Sequence, residues 1–236
     1  MDLTEHIRKV QATMAQAAVN AGRDPGEITL CAATKVQTDD TIRAAIAAGV
    51  PVCGENRVQE LTAHLEHNAY EGARVHFIGH LQTNKVKQVV GKVELIHSVD
   101  SLHLLQAINN QADKLGLIQD FLLEVNIAGE ESKGGCTPEL AWELARQSAQ
   151  LDHVRFRGLM AIPPVSTVPG ENRPWFRAMH QLFVDMREKM SDNQGDITYL
   201  SMGMSGDYPD AIAEGSTLIR VGTALFGPRP PMVPRK

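Results

Sequence analysis

The sequence lacks the patterns that mark several classes of protein. It has three cysteines, Cys31, Cys53 and Cys136, which form no CxxC pair, so neither a disulfide framework nor a zinc site is expected. The first ten residues carry acids and bases throughout and have no apolar signal core. No stretch approaches the roughly 18 apolar residues of a membrane span. We therefore expect a soluble, cytoplasmic protein with reduced thiols and no membrane partner.

A basic surface for nucleic acid is also missing. The formal net charge is −5, and the densest basic stretch, Lys85 to Lys92, is not interleaved with aromatic residues, which is typical of a solvated helix face. Hydrophobic residues make up 43% of the 236 residues, enough for the core of one barrel-sized domain. The charged, proline-rich tail from Pro228 to Lys236 offers no interface, and a monomer is expected.

Apolar periodicity predicts a regular alternation of short strands and helices. After a helix over 2–20, eight strands are predicted at 28–34, 50–53, 75–78, 95–99, 121–127, 154–160, 197–201 and 217–221. Helices are predicted between them at 38–48, 58–66, 83–90, 102–115, from Thr137-Pro138, at 174–190 and at 209–214. No helix is predicted after the eighth strand, where the N-terminal helix can take the missing place.

This alternation predicts an α/β fold, a (β/α)8 TIM-type barrel with an additional N-terminal helix, residues 1–236 forming a single domain with no second domain. The competing prediction is an open doubly wound sheet, but no GxGxxG follows any strand. In the fifth strand the alternation turns Glu124 and Asn126 inward, and in the last strand it turns Arg220 inward. Charged residues aimed into a barrel at its strand ends indicate a ligand there.

Three features at the predicted strand ends carry the chemistry. Lys35 ends the first strand and has the amine that an aldehyde cofactor requires, although a lone lysine there is usually a solvated cap. Ser201-Met-Gly-Met-Ser205 and Gly222-Thr223 lie where barrels often hold a phosphate, or else they are tight packing. Arg220 is the guanidinium that would face a pyridine nitrogen, or it pairs with Glu124 inside the barrel.

Four further segments are weaker candidates. His76 and His80 are four apart, but they lie on or after a strand, so a helical zinc pair is not expected. Lys133 is either a second amine for the cofactor or a solvated loop lysine. The segment 162–170 is either a mobile lid or a long loop. Tyr208, in the loop after the seventh strand, is the tyrosine best placed to reach the mouth.

Short motifs along nearly the whole chain resemble one family. They are Ala33-Thr-Lys35, Gly54-Glu-Asn-Arg-Val-Gln-Glu60, His76-Phe-Ile-Gly79, Leu81-Gln82, Asn84-Lys85, Val125-Asn126, Glu131-Ser-Lys133, Gly158-Leu-Met160, Leu200-Ser-Met-Gly-Met-Ser205, Ala211-Ile212, Arg220-Val-Gly-Thr223 and Phe226-Gly227. The sequence resembles the pyridoxal phosphate homeostasis proteins, which are similar to the barrel domain of alanine racemase.

The resemblance implies a barrel that binds pyridoxal 5'-phosphate (PLP), with the Schiff base on Lys35. It places Asn56 beside the cofactor, Arg220 by the ring nitrogen, and a phosphate group among Ser201, Met204, Ser205, Gly222 and Thr223. The sequence departs from the family pattern at Cys53, at Arg57, at Glu124, and at Val36-Gln37, which lacks the further lysine often found after the Schiff-base lysine.

Two functions of different kinds follow from the resemblance. The first is a carrier of PLP that takes part in intracellular PLP homeostasis and supplies the cofactor to apo-enzymes without catalysis of its own. The second is a PLP-dependent enzyme similar to an amino-acid racemase. A third possibility, independent of PLP, is a barrel that binds another phosphate ligand with Lys35 as its counter-ion.

Overall fold

Eight parallel strands form a closed barrel in the computed structural model, which describes residues 2–130, 133–190 and 197–228. Each strand pairs with the next one along the chain, and β8 pairs with β1 to close the ring. The strands are β1 Thr29–Ala33, β2 Val52–Glu55, β3 Arg74–Phe77, β4 Leu95–Val99, β5 Gln119–Glu124, β6 Val154–Met160, β7 Tyr199–Ser201 and β8 Leu218–Val221. The predicted TIM-type barrel is confirmed.

Helices follow the strands and cover the outside of the barrel. They are α1 Leu3–Asn20, α2 Asp39–Ala47, α3 Val58–Glu66, α4 Leu102–Leu115, α5 Pro138–Ser148, α6 Arg173–Lys189, α7 Tyr208–Ala213 and α8 Thr223–Phe226. Thr38 and Thr137 cap α2 and α5 through their side chains, as expected of threonine at these positions. No helix in the described ranges is long and apolar enough to cross a membrane.

Two predicted elements differ from the observed ones. Thr83–Gln88 is a 3-10 helix rather than an α-helix. A four-residue helix, α8, follows the last strand, where none was predicted, because four residues are too few to show helical periodicity. The N-terminal helix packs against α8, and His6 Nδ1 lies 3.0 Å from Leu225 O. Residues 131–132 and the tail from 229 lie outside the described ranges.

The side chains of the strands alternate between the barrel interior and the helix layer, as predicted for β5 and β8. Phe121 and Leu123 belong to the core beneath the helices, whereas Leu122 packs inside the barrel with Leu95 and Met160. On β8, Ile219 and Val221 face the helix layer, and Leu218 packs inside with Cys31 and Val52. The same alternation turns Arg220 inward.

The chain leaves β1 through a tight turn that contains Lys35. Gln37 N donates to Thr34 O at 3.0 Å, which makes Lys35 and Val36 the central residues. Val36 has a φ of 61°, and a positive φ at this third turn position is normally supplied by glycine or asparagine. A β-branched residue there is strained, so this turn lowers the stability of the folded protein.

Replacing Val36 by glycine is expected to stabilise the ligand-free protein. Relief of a strained φ is worth on the order of 1–3 kcal/mol, and the greater unfolded entropy of glycine removes roughly 0.5–1 kcal/mol of that, so we expect a gain of about 1 kcal/mol. Urea unfolding of Val36→Gly would measure it. The control is Asn68→Gly, because Asn68 has a φ of 52°, which asparagine tolerates. An equal gain in both variants would contradict strain at Val36.

Candidate functional site

A cavity of about 250 Å³ opens at the carboxyl ends of the strands, close to the lower limit for ligand pockets. Its walls come from the ends of β1 and β2, the loops after β7 and β8, and Ile162 after β6. Seven of the eight residues predicted to hold a cofactor line this one cavity: Lys35, Asn56, Met204, Ser205, Arg220, Gly222 and Thr223. Residues far apart in the chain therefore share one small space.

The half-buried Lys35 stands between two anchored neighbours. Thr34 is fully buried, with Oγ1 2.6 Å from Glu55 Oε1 and 3.2 Å from Gly54 O. On the other side, Val36 N donates to Glu60 Oε2 at 3.0 Å. These contacts hold the backbone on both sides of Lys35, so the fold fixes the position of its Cα atom.

The loops after β7 and β8 are tied together by one hydroxyl. Ser205 Oγ accepts hydrogen bonds from Gly222 N and Ala224 N, both at 3.1 Å. The backbone N–H groups of Ser205, Gly206 and Thr223 make no hydrogen bond within the described part of the chain. Free N–H groups and hydroxyls on a concave surface suit an anion such as phosphate.

Glycine is required in the first of these loops for a steric reason. Gly203 has a φ of 92°, and a Cβ on it would lie 2.6 Å from the Cβ of Ala211. A larger residue would push the loop away from α7 and displace Met204 and Ser205 from the cavity wall. The expectation that this segment is tight packing is therefore correct for Gly203, while its neighbours line the cavity.

Arg220 reaches the cavity from the barrel interior and is 5% exposed. Its Nη1 donates to Ser201 Oγ at 2.6 Å, and its Nη2 donates to Ala161 O at 3.0 Å. Burial lowers the pKa of Arg220, while the nearby Cys31, Glu124 and Asp207 act in the opposite direction. An arginine stays protonated in proteins and has five N–H donors, so three remain beyond these two hydrogen bonds.

Glu124 makes no hydrogen bond with Arg220 in the described part of the chain. The hydrogen bonds of the guanidinium go to Ser201 and Ala161, and Glu124 acts on it through space. Burial raises the pKa of Glu124, the nearby Asp100 raises it further, and Arg220 and His80 lower it. The hydrogen bonds of the described residues therefore do not support the alternative of an Arg220–Glu124 pair.

Ser201 lies inside the barrel, beneath the cavity. It is fully buried, it receives the hydrogen bond from Arg220, and its Oγ lies 3.1 Å from His97 Nδ1. The cavity wall does not include it. Its neighbours Met204 and Ser205 line the cavity instead.

Asn56 lines the cavity and was reached only through the resemblance. Its Oδ1 is buried and has no hydrogen-bond partner in the described residues. A Cβ on Gly79 would lie 2.1 Å from Asn56 O, so the glycine of the His76–Gly79 motif allows the chain after β3 to pass the Asn56 backbone. A buried polar atom without a protein partner on a cavity wall is available to hydrogen-bond a ligand.

Two candidates for the mouth, Tyr208 and Lys133, lie outside the cavity wall. Tyr208 begins α7 and is buried in the hydrophobic core under the helices, so the prediction that it reaches the mouth is wrong. The reason is that the loop after β7 is shorter than predicted. Lys133 donates to Glu130 Oε1 at 3.0 Å and to Pro163 O at 2.8 Å, and thus links the loops after β5 and β6 outside the cavity.

The apolar part of the wall was missed by sequence reasoning. Ile78, Ile162 and Phe226 line the cavity; Ile78 and Phe226 stand in motifs of the family resemblance, but none of the three was named as a site residue. The described residues contain no cluster of three metal-ligating side chains. His76 instead lies against His97 inside the barrel, with Nδ1 3.0 Å from His97 Nε2.

Comparison with known proteins identifies relatives across the chain. The family described as the N-terminal domain of alanine racemase matches residues 26–230. A pyridoxal phosphate homeostasis protein of Aquifex aeolicus is 41% identical over 229 residues, covering 97% of this chain and 99% of that protein. One of the same name from Pseudomonas aeruginosa is 40% identical over 227 residues, covering 96% of each chain.

Among solved structures, PipY of Synechococcus elongatus with PLP bound is similar to this chain. The TM-score is 0.82 at 32% identity, covering 96% of this chain and 100% of PipY. The alignments thus span nearly the whole of this chain and of each relative. The chain belongs to the family of the alanine racemase N-terminal domain and, within it, to the pyridoxal phosphate homeostasis proteins.

Proposed function

We propose that this protein binds PLP in the cavity, holds it as a Schiff base on Lys35, and takes part in PLP homeostasis in the cytoplasm. The observation that carries the proposal is the shared cavity: an amine, a guanidinium and a set of free N–H and hydroxyl donors line it together. Residues 1–236 act as one PLP-binding domain and as a monomer, and PLP-dependent apo-enzymes are the recipients of the cofactor.

The residues fit the functional groups of PLP one by one. Lys35 supplies the amine for the aldehyde. Ser205, Gly222 and Thr223, with Met204 beside them, surround the phosphate, and the bond from Ser205 to the Gly222 loop already holds the two halves of this site together. The buried Oδ1 of Asn56 and the remaining donors of Arg220 are available to the ring. Ser201 contributes through Arg220.

A carrier is supported over an enzyme by what the cavity wall offers. When bound, PLP supplies an electron sink for carbanions next to an amino group, and a protonated ring nitrogen strengthens that sink. Arg220 donates a hydrogen bond but no proton, so the sink stays weak. Lys35 can carry a proton on one face, whereas Tyr208, the best candidate for a second base, is buried in the core.

A PLP-dependent racemase-like activity remains the alternative, and a barrel for another phosphate ligand is the third possibility. Colour separates PLP binding from the third possibility, because a Schiff base of PLP absorbs visible light. The purified protein is expected to turn yellow with PLP at neutral pH. A colourless protein that takes up no PLP would reject both PLP hypotheses.

Replacing Lys35 by alanine is expected to abolish the covalent link and to leave weaker, non-covalent PLP binding, because the phosphate donors and Arg220 remain. Borohydride reduction followed by mass spectrometry measures the adduct. The control is Lys133→Ala, which removes a lysine outside the cavity and should keep the full adduct. An adduct of unchanged mass in Lys35→Ala would place the cofactor on another lysine, Lys133 first.

Replacing Thr223 by alanine is expected to weaken PLP binding more than replacing Glu124 by glutamine. A hydrogen bond to a charged group contributes about 1.5–3 kcal/mol, which is a factor of roughly 10 to 100 in affinity. Glu124→Gln preserves the size of a side chain that does not line the cavity. Spectral titration gives both dissociation constants. Equal constants would argue that the phosphate lies elsewhere.

No enzymatic turnover of amino acids is expected. Deuterium uptake at Cα, followed by NMR for alanine and other amino acids with the PLP-loaded protein, measures it. Loss of a positioned acid or base typically slows catalysis by about 10²–10⁴-fold, so only slow background exchange should remain. Turnover near or above about 1 s⁻¹, a usual floor for enzymes, would establish the racemase-like alternative instead.

A further inference from the structure

A chain of hydrogen bonds runs through the barrel interior from the cavity to the third strand. Arg220 Nη1 donates to Ser201 Oγ, Ser201 Oγ lies 3.1 Å from His97 Nδ1, and His97 Nε2 lies 3.0 Å from His76 Nδ1. The members come from β8, β7, β4 and β3, and none is more than 5% exposed. Water therefore does not compete for these bonds.

The direction of donation along this chain follows from which protons find an acceptor. A guanidinium only donates, so Ser201 Oγ is an acceptor toward Arg220. A hydroxyl has one proton and two acceptor lone pairs, so Ser201 Oγ can also accept from His97, but its own proton then has no acceptor among the described residues. Donation from Ser201 to His97 Nδ1 gives that proton an acceptor, and the structure favours this direction. In this direction His97 carries its proton on Nε2 and donates it to His76 Nδ1.

Both imidazoles are neutral in this arrangement. Burial lowers the pKa of His76 to about 3, with a smaller effect from Arg74. Burial also lowers the pKa of His97, as do His76 and Arg220. A neutral ring with a bare Nδ1 keeps its proton on Nε2, so His76 Nε2 is a donor at the end of the chain. That atom is buried and has no partner in the described residues.

We propose that Ser201 and His97 are positioning residues for Arg220, through a hydrogen-bond chain in which each group donates to the next away from the cavity. One N–H of the guanidinium donates to Ser201 in this hydrogen-bond chain, and another donates to Ala161 O. The remaining N–H groups are thereby held toward the cavity that Arg220 lines. The last step, contact with the pyridine nitrogen of PLP, rests on the proposed function.

The direction of the chain is testable without any cofactor. Long-range ¹H–¹⁵N NMR of protein labelled at histidine distinguishes the two tautomers, and His76→Leu and His97→Leu assign the two rings. We expect both rings to be neutral with the proton on Nε2, and to stay so about one pH unit below the usual histidine pKa of about 6.5. A proton on Nδ1 of either ring, or a charged ring, would overturn the chain.

The effect on Arg220 is measured with PLP labelled with ¹⁵N in its ring. Ser201→Ala and His97→Leu should weaken PLP binding about tenfold, since each leaves a charged donor or its partner without a hydrogen bond, and should shift the pyridine ¹⁵N resonance toward that of Arg220→Leu. Ser201→Thr, which keeps the hydroxyl, and His97→Asn, whose Oδ1 can replace Nδ1 as acceptor, should restore both readouts.

A matched control lies next to His97 on the same strand. Ser98 is fully buried and its Oγ has no partner in the described residues, so Ser98→Ala should change neither affinity nor resonance. If Ser98→Ala matches Ser201→Ala, or if Ser201→Ala leaves both readouts unchanged, the positioning role is wrong. A wild-type protein that binds no PLP would reject the proposed function, while the histidine tautomers would still decide the direction of the chain.

Discussion

The pairing of β8 with β1 is the constraint on which the site depends. In this pairing Cys31 lies opposite Arg220, and Ala32 lies opposite Val221. The residues that follow, Lys35 on one side and Gly222 and Thr223 on the other, are therefore brought to the same rim although they lie near opposite ends of the chain. Without this closure the amine of Lys35 and the loop of Gly222 and Thr223 would be at the two edges of an open sheet.

The same closure buries the guanidinium of Arg220, which costs desolvation energy. An unpaired charge inside a protein is strongly unfavourable, and Arg220 is placed inside by the same alternation that puts Ile219 and Val221 under the helices. Hydrogen bonds to Ser201 and Ala161, and the histidines behind Ser201, stabilise the buried charge. The polar interior is thus part of the structure that presents Arg220 to the cavity.

Strain and steric fit act at the same rim. Lys35 lies in a turn whose next residue, Val36, has a positive φ, and the turn is held by Thr34 and Glu60. Strain of this kind persists only where surrounding contacts enforce it. The rim therefore holds the backbone of Lys35 in one fixed place.

The sequence by itself determined the barrel, because strand and helix periodicities and threonine caps are local properties that neighbouring residues express. It also determined Lys35 and Arg220 as candidates, because the end of a strand and an inward position can be counted along the chain. Asn56 needed a family resemblance, and the short α8 was missed. The burial of Tyr208, the place of Ser201 below the cavity and its link to His97 were decided only by the tertiary structure, because they depend on which strands become neighbours and in what register.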